Sequence, residues 1–190
     1  MKLLTGIFLS LANILMLLNN LKIQTSLFQA KYKIEKRRIL ILVTSFSALC
    51  AVTAYMAVCD YIPLFYIVLF TLQYISIAII PILVLKNNIK RIAYTAMFLV
   101  FSDSLFSSAI YVIIHISLKN PDKDLTHSTI SFIVQMIMLI FLSFCERKDY
   151  HRRFRKNLSL LSNSILTLIL IMLIFLSGLA ASLSVSTEHL

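Results

Sequence analysis

Asp103 is the one acidic residue that stands deep within a long apolar run, close to the middle of residues 92–118. An ionised carboxylate at the centre of a membrane span costs at least about 2.5–3.5 kcal/mol on insertion scales, so it should face protein or a water-filled cavity. Helical steps of four residues from Asp103 reach Ser107, Tyr111 and His115, with Ser104 and Ser108 alongside. One face of this run is therefore polar from its middle to its end. Such a stripe fits a proton or cation site, or the floor of a ligand pocket open to the outer side. It fits equally a protonated carboxyl that hydrogen-bonds a neighbouring helix and sets its register.

Gln73 lies at similar depth in residues 61–85, with Tyr66 and Ser76 near its face. Both Gln73 and Tyr66 join Asp103, Ser107, Tyr111 and His115 as candidate ligand contacts. Gln73, like Gln135, Asn13 and Asn163, also suits an interhelical hydrogen bond, a contact worth roughly 0.6 kcal/mol on average in membrane bundles. His115, His127, His151 and His189 are scattered without metal-ligand spacing, so no metal is expected. Cys50, Cys59 and Cys145 form no C-x-x-C and read as small buried hydrophobes. Cys145 and His151 are six residues apart, but one closes an apolar run and the other lies in a basic stretch, which is a poor catalytic pair. A glycine-rich phosphate loop is lacking, so neither nucleotide chemistry nor another cofactor is expected.

The elements that must position these residues are transmembrane helices. The chain has 190 residues, 59% hydrophobic and 14% charged, with a mean hydropathy of +0.90. A soluble domain is more polar than this. A span needs about 20 mostly apolar residues to cross a hydrocarbon core of roughly 30 Å. Residues 3–21, 39–59, 61–85, 92–118, 129–145 and 159–183 meet that requirement. They predict an all-α, polytopic membrane protein with six transmembrane helices in one domain over residues 1–190. The two glycines, Gly6 and Gly178, and the internal Pro81 leave little to interrupt these helices; Pro81 predicts a kink in the third.

Of the 18 Lys and Arg residues, all but Lys2, Lys119 and Lys123 fall in three stretches, 22–38, 86–91 and 147–156. These are alternate gaps between the apolar runs. Positive loops are retained on the cytoplasmic side during insertion. The asymmetry places both termini outside, together with residues 59–61 and the polar loop 119–128. Lys2 alone cannot hold the N-terminus inside against the six basic residues of 22–38. That segment spaces Ile23, Leu27 and Ile34 so that it can lie in the membrane interface as an amphipathic helix, or simply prolong the first span. The net charge of +10 is thus topogenic, meeting lipid head groups and no nucleic acid.

This order of features resembles the membrane sensor region of Agr-type peptide-receptor histidine kinases, whose cytoplasmic part belongs to the GHKL ATPase class. Lys86-Asn-Asn-Ile-Lys-Arg91 is similar to the short basic connection before that family's fourth helix. Asn120-Pro-Asp-Lys-Asp124 resembles its outer loop, and Arg147 to Lys156 its last large basic loop. The resemblance implies a sensor module of a two-component quorum-sensing kinase in a bacterial plasma membrane. Its implied partners are a small secreted peptide, the lipid bilayer and a second copy of the chain. None of the four histidines precedes Asp as the family's phosphoacceptor does, and residues 1–190 contain neither that family's final helix nor its ATP-binding domain. The chain itself is therefore expected to be no enzyme. The competing expectation is a small solute-binding subunit of a transporter, a class of similar length and span number.

Overall fold

The computed structural model describes residues 2–58, 63–117 and 123–147. The expected sixth span, 159–183, the hairpin tip 59–61 and Pro121 lie outside the described residues. Five helices run through the described part: α1 (Lys2–Ser26), α2 (Lys36–Val58), α3 (Pro63–Val84), α4 (Ile89–Ser117) and α5 (Lys123–Arg147). Four of them, α1, α2, α4 and α5, are long and apolar enough to cross a membrane, and α3 adds the apolar stretch Thr71–Val84. The protein is an all-α membrane protein.

Side-chain placement follows from a lipid solvent. Large apolar residues point outward: Val68, Leu72, Ile75, Ile79 and Leu83 form one exposed stripe on α3, and Ile133, Ile137, Ile140, Phe141 and Phe144 another on α5. Polar amides are buried instead, with Asn13, Asn19, Asn20 and Gln24 on α1, Gln73 on α3 and Gln135 on α5 all at most 2% exposed. Hydrocarbon offers these groups no hydrogen bonds, whereas it solvates Leu and Ile as well as the core does. The helix richest in amides accordingly takes the centre. α1 packs against all four other helices, which follow one another around it in chain order.

The four amides of α1 reach three of these helices. Asn13 Nδ2 donates to Gln73 Oε1 on α3 at 2.9 Å, and Asn19 Nδ2 to Gln135 Oε1 on α5 at 2.8 Å. Gln24 Nε2 donates to Thr95 Oγ1 on α4 at 2.9 Å. Asn20 Nδ2 donates to the Ile77 carbonyl on α3 at 2.9 Å. That last bond answers a defect: Pro81 lies inside α3 and has no N–H to give the carbonyl four residues earlier, which is that of Ile77. Around these bonds Met16, Leu17, Ile77, Val84 and Leu99, none more than 1% exposed, fill the core.

The segment 22–38 departs from both sequence expectations. α1 continues only to Ser26; the chain then turns through Gln29, whose φ of 51° is left-handed, and Lys31–Tyr32 pairs antiparallel with Leu85–Lys86. The backbone groups that a helix would have satisfied internally are met by the end of α3 instead. Lys33 extends the pairing through its N–H to Val84 O at 2.7 Å, and its Nζ donates to Ile82 O at 3.0 Å, at the negative end of the α3 dipole. Asn87 and Asn88 make the turn into α4, where Asn88 Oδ1 caps the Lys90 N–H at 3.0 Å. Asn87 Nδ2 in turn holds Gln24 Oε1 at 2.7 Å, tying the turn to α1. This side of the molecule is the ladder end.

The 119–128 segment also departs from expectation. Its second half is not a loop, because α5 begins at Lys123 with Asp124 in its first turn. A carboxylate there complements the positive end of the helix dipole. The polarity of 124–128 arises from the cleft these residues line.

Candidate polar cleft

A cavity of about 720 Å³ opens between α1, α3, α4 and α5, in the half of the bundle opposite the ladder end. Helical spacing explains its walls. α1 contributes Lys2, Thr5, Leu9 and Asn13, successive residues of one face. α4 contributes Asp103, Ser104, Ser107 and Ser108, the polar stripe visible in the sequence. α5 contributes Asp124, His127, Ser128 and Ser131, and α3 adds Tyr74. The α5 stripe continues to Gln135 at the same spacing, so two polar helix faces meet across the cleft.

Asp103 sits at the floor, half-buried. Ser131 Oγ donates to its Oδ2 at 2.6 Å, and Gln135 Nε2 donates to its Oδ1 at 2.9 Å. Gln135 is held from the other side by Asn19 of α1, so a continuous chain of bonds joins α1, α5 and α4 at mid-depth. This layer fixes the carboxyl group and closes the cleft below it. One helical turn from Asp103, Ser107 is 3% exposed and its Oγ has no hydrogen-bond partner.

The sequence-derived candidates fall around this cleft in different ways. Asp103 and Ser107 line it. Tyr111 is buried behind the wall, its ring 4.8 Å from that of the lining residue His127. Gln73 is also behind the wall and reaches the cleft only through Asn13. The side chains of Tyr66 and His115 lie outside the described residues. Sequence reasoning missed Asp124, His127, Ser128 and Ser131, although the steps 124, 127/128, 131 and 135 carry a helical signal. Reading 119–128 as a loop hid it.

A smaller cavity of about 400 Å³ lies toward the ladder end, between α1, α2 and α5. Its walls are largely aliphatic, from Leu18, Leu21, Ile39, Val43 and Leu139, and Lys22 and Glu146 pair across it at 3.0 Å. Among the described residues, no three His, Cys, Asp or Glu side chains gather where they could hold a metal ion. No protein-family model, curated protein or solved structure matches the chain.

Proposed function

We propose that this chain is the membrane-embedded sensor module of a receptor and takes a small extracellular signal in the cleft lined by α1, α4 and α5. The observation that carries the reading is the cleft itself: a polar cavity inside a bundle whose outer surface is apolar, open toward one end and closed at mid-depth. A pocket of about 720 Å³ has the size of a small-molecule or short-peptide site. The distribution of charge supports an outward opening. Lys31, Lys33, Lys36, Arg37, Arg38, Lys86, Lys90 and Arg91 all lie at the ladder end, which the positive-inside rule assigns to the cytoplasm. The cleft end is then extracytoplasmic.

The layout shared with the sensor region of Agr-type kinases supports peptide recognition and a cytoplasmic kinase partner, with the protein in a bacterial plasma membrane. In this reading the chain contributes binding and no catalysis. Ligand in the cleft bridges α1, α4 and α5 and so favours one packing of these helices over another, which is the physical content of a signal.

Residues 1–190 joined to the final helix and kinase domain of an Agr-type receptor test this directly. Autophosphorylation should respond to extracts containing secreted peptides, and Asp103→Asn or Ser107→Ala should blunt the response. Two outcomes would sink the proposal: a response indifferent to both substitutions, or accumulation of a labelled solute by liposomes carrying residues 1–190 alone.

A further inference from the structure

The hydrogen-bond inventory of the cleft floor is one-sided. Its donors are already committed to protein acceptors: Ser131 Oγ and Gln135 Nε2 to Asp103, and Asn13 Nδ2 to Gln73. On the rim side Ser128 Oγ is committed to the Leu125 carbonyl at 3.0 Å. What remains is lone-pair capacity on Asp103, together with the Ser107 hydroxyl, which can accept or donate. An aspartate carboxylate offers about four lone-pair sites and two of these are used. Ser107 Oγ, buried beside it, has no partner at all. Among the described residues no Lys, Arg or His forms an ion pair with Asp103, and the ion pair found among them, Lys22–Glu146, lies toward the ladder end. Asp124 puts a second carboxylate on the same cleft, about 10 Å from the floor by the helical rise between residues 124 and 131, and Lys2 puts one ammonium on the wall nearer the rim.

We infer that the group recognised at the floor of the cleft is a primary ammonium of the ligand, taken by the Asp103 carboxylate with Ser107 Oγ as a second acceptor. This rests on the reading of the cleft as a ligand site and adds the charge of what it binds. An ammonium presents three donors and no acceptor, which complements the inventory above. It also supplies the counter-charge that a carboxylate in a bundle needs, since a buried charge is tolerated when paired and hydrogen-bonded. A carboxylate or phosphate on the ligand would set a second negative charge against Asp103, and the neutral Ser107 hydroxyl offers no counter-charge to offset the repulsion. The free N-terminus of a peptide, or a small amine, carries the right group; an N-terminally blocked peptide does not.

The test uses the purified chain in lipid nanodiscs and three small probes: glycinamide as the cation, N-acetylglycinamide as the neutral analogue and N-acetylglycine as the anion. Saturation-transfer NMR measures binding of each at pH 7. Glycinamide should bind at least tenfold more tightly than either acetylated probe. Asp103→Asn keeps the shape of the side chain and should remove that preference. Ser107→Ala deletes a hydroxyl that bonds nothing in the protein, so the fold is retained while glycinamide affinity falls about threefold to tenfold. Phe141→Leu on the lipid face should change neither. If the neutral probe binds as tightly as the cation and still depends on Asp103, the cleft remains a ligand site and the ammonium assignment falls. If glycinamide does not bind, or binds regardless of both cleft substitutions, the ammonium assignment is likewise overturned.

Discussion

Replacing Asn20 by Leu removes the one side-chain donor that answers the carbonyl freed by Pro81, the Ile77 oxygen 2.9 Å from Asn20 Nδ2. Interhelical hydrogen bonds in membranes average roughly 0.6 kcal/mol and reach about 1.7, because separated helices find other partners in the bilayer. The Ile77 carbonyl lacks that alternative: with Pro81 four residues on, α3 alone leaves it unpaired in hydrocarbon. Its bond to Asn20 should therefore lie toward the upper end, with the loss at about 1–3 kcal/mol, the range for an orphaned buried acceptor. The second bond lost, Gln24 Nε2 to Asn20 Oδ1 at 3.5 Å, adds little because Gln24 keeps Thr95 at 2.9 Å. Pro81→Ala restores the N–H that closes the helix on Ile77. In that background Asn20→Leu should cost no more than the average interhelical bond, roughly 0.6 kcal/mol. The double-mutant cycle thus predicts a coupling of roughly 0.4–2.4 kcal/mol between residues that do not bond each other. Reversible unfolding in bicelles, followed by helical circular dichroism as SDS is titrated in, gives the four stabilities. Equal costs of Asn20→Leu with and without Pro81 would refute the argument.

Three further outcomes follow from the same contacts. Asp103→Leu should insert at least as well as the parent chain, since the intramembrane carboxylate is gone, yet fold less stably by about 1–3 kcal/mol because Gln135 Nε2 and Ser131 Oγ lose their acceptor; insertion and unfolding measured on the same variant separate the two effects. A Cβ on Gly6 would stand 3.1 Å from both the Cβ and the carbonyl oxygen of Ala54, so Gly6→Val should destabilise more than Gly6→Ala. Ala54→Gly should rescue Gly6→Ala only in part, since the backbone contact remains; full rescue would contradict this packing. Alkaline phosphatase fused after residue 90 should be inactive in cells, as expected for a cytoplasmic ladder end, and an active fusion there would invert the orientation.

The helical character of the chain was legible because lipid imposes long apolar runs, and Asp103 stood out because a carboxyl in such a run needs a reason. Less legible was anything set by pairing between distant residues. Asn13, Asn19, Asn20 and Gln24 each look in sequence like an ordinary amide in or beside a span; only the packing shows that they meet Gln73, Gln135, the Ile77 carbonyl and Thr95 in turn. The ladder of Lys31–Tyr32 with Leu85–Lys86 was hidden for the same reason, since two residues carry no strand period. Polarity also misled at the start of α5. In a soluble protein Asp124, His127 and Ser128 would mark a loop, but within a membrane bundle a polar stretch is equally the wall of a cavity.

That ambiguity has a resolution in physical terms. A loop between spans is polar at every position, whereas a cavity wall is polar at helical spacing. In α5 Asp124, His127, Ser128, Ser131 and Gln135 recur every three or four residues, while Ile130, Phe132, Ile133 and Val134 between them are apolar. The matching stripe of α4 ends on the same carboxyl group that Ser131 and Gln135 hold. Pairing the two stripes gives Asp103 of one the donors Ser131 and Gln135 of the other, partners that hydrocarbon cannot supply. Their pairing uses the Ser131 and Gln135 donors and leaves lone pairs on Asp103 and the whole Ser107 hydroxyl free. On the proposed reading, the residues that fold the bundle also select the charge of the ligand in its cleft.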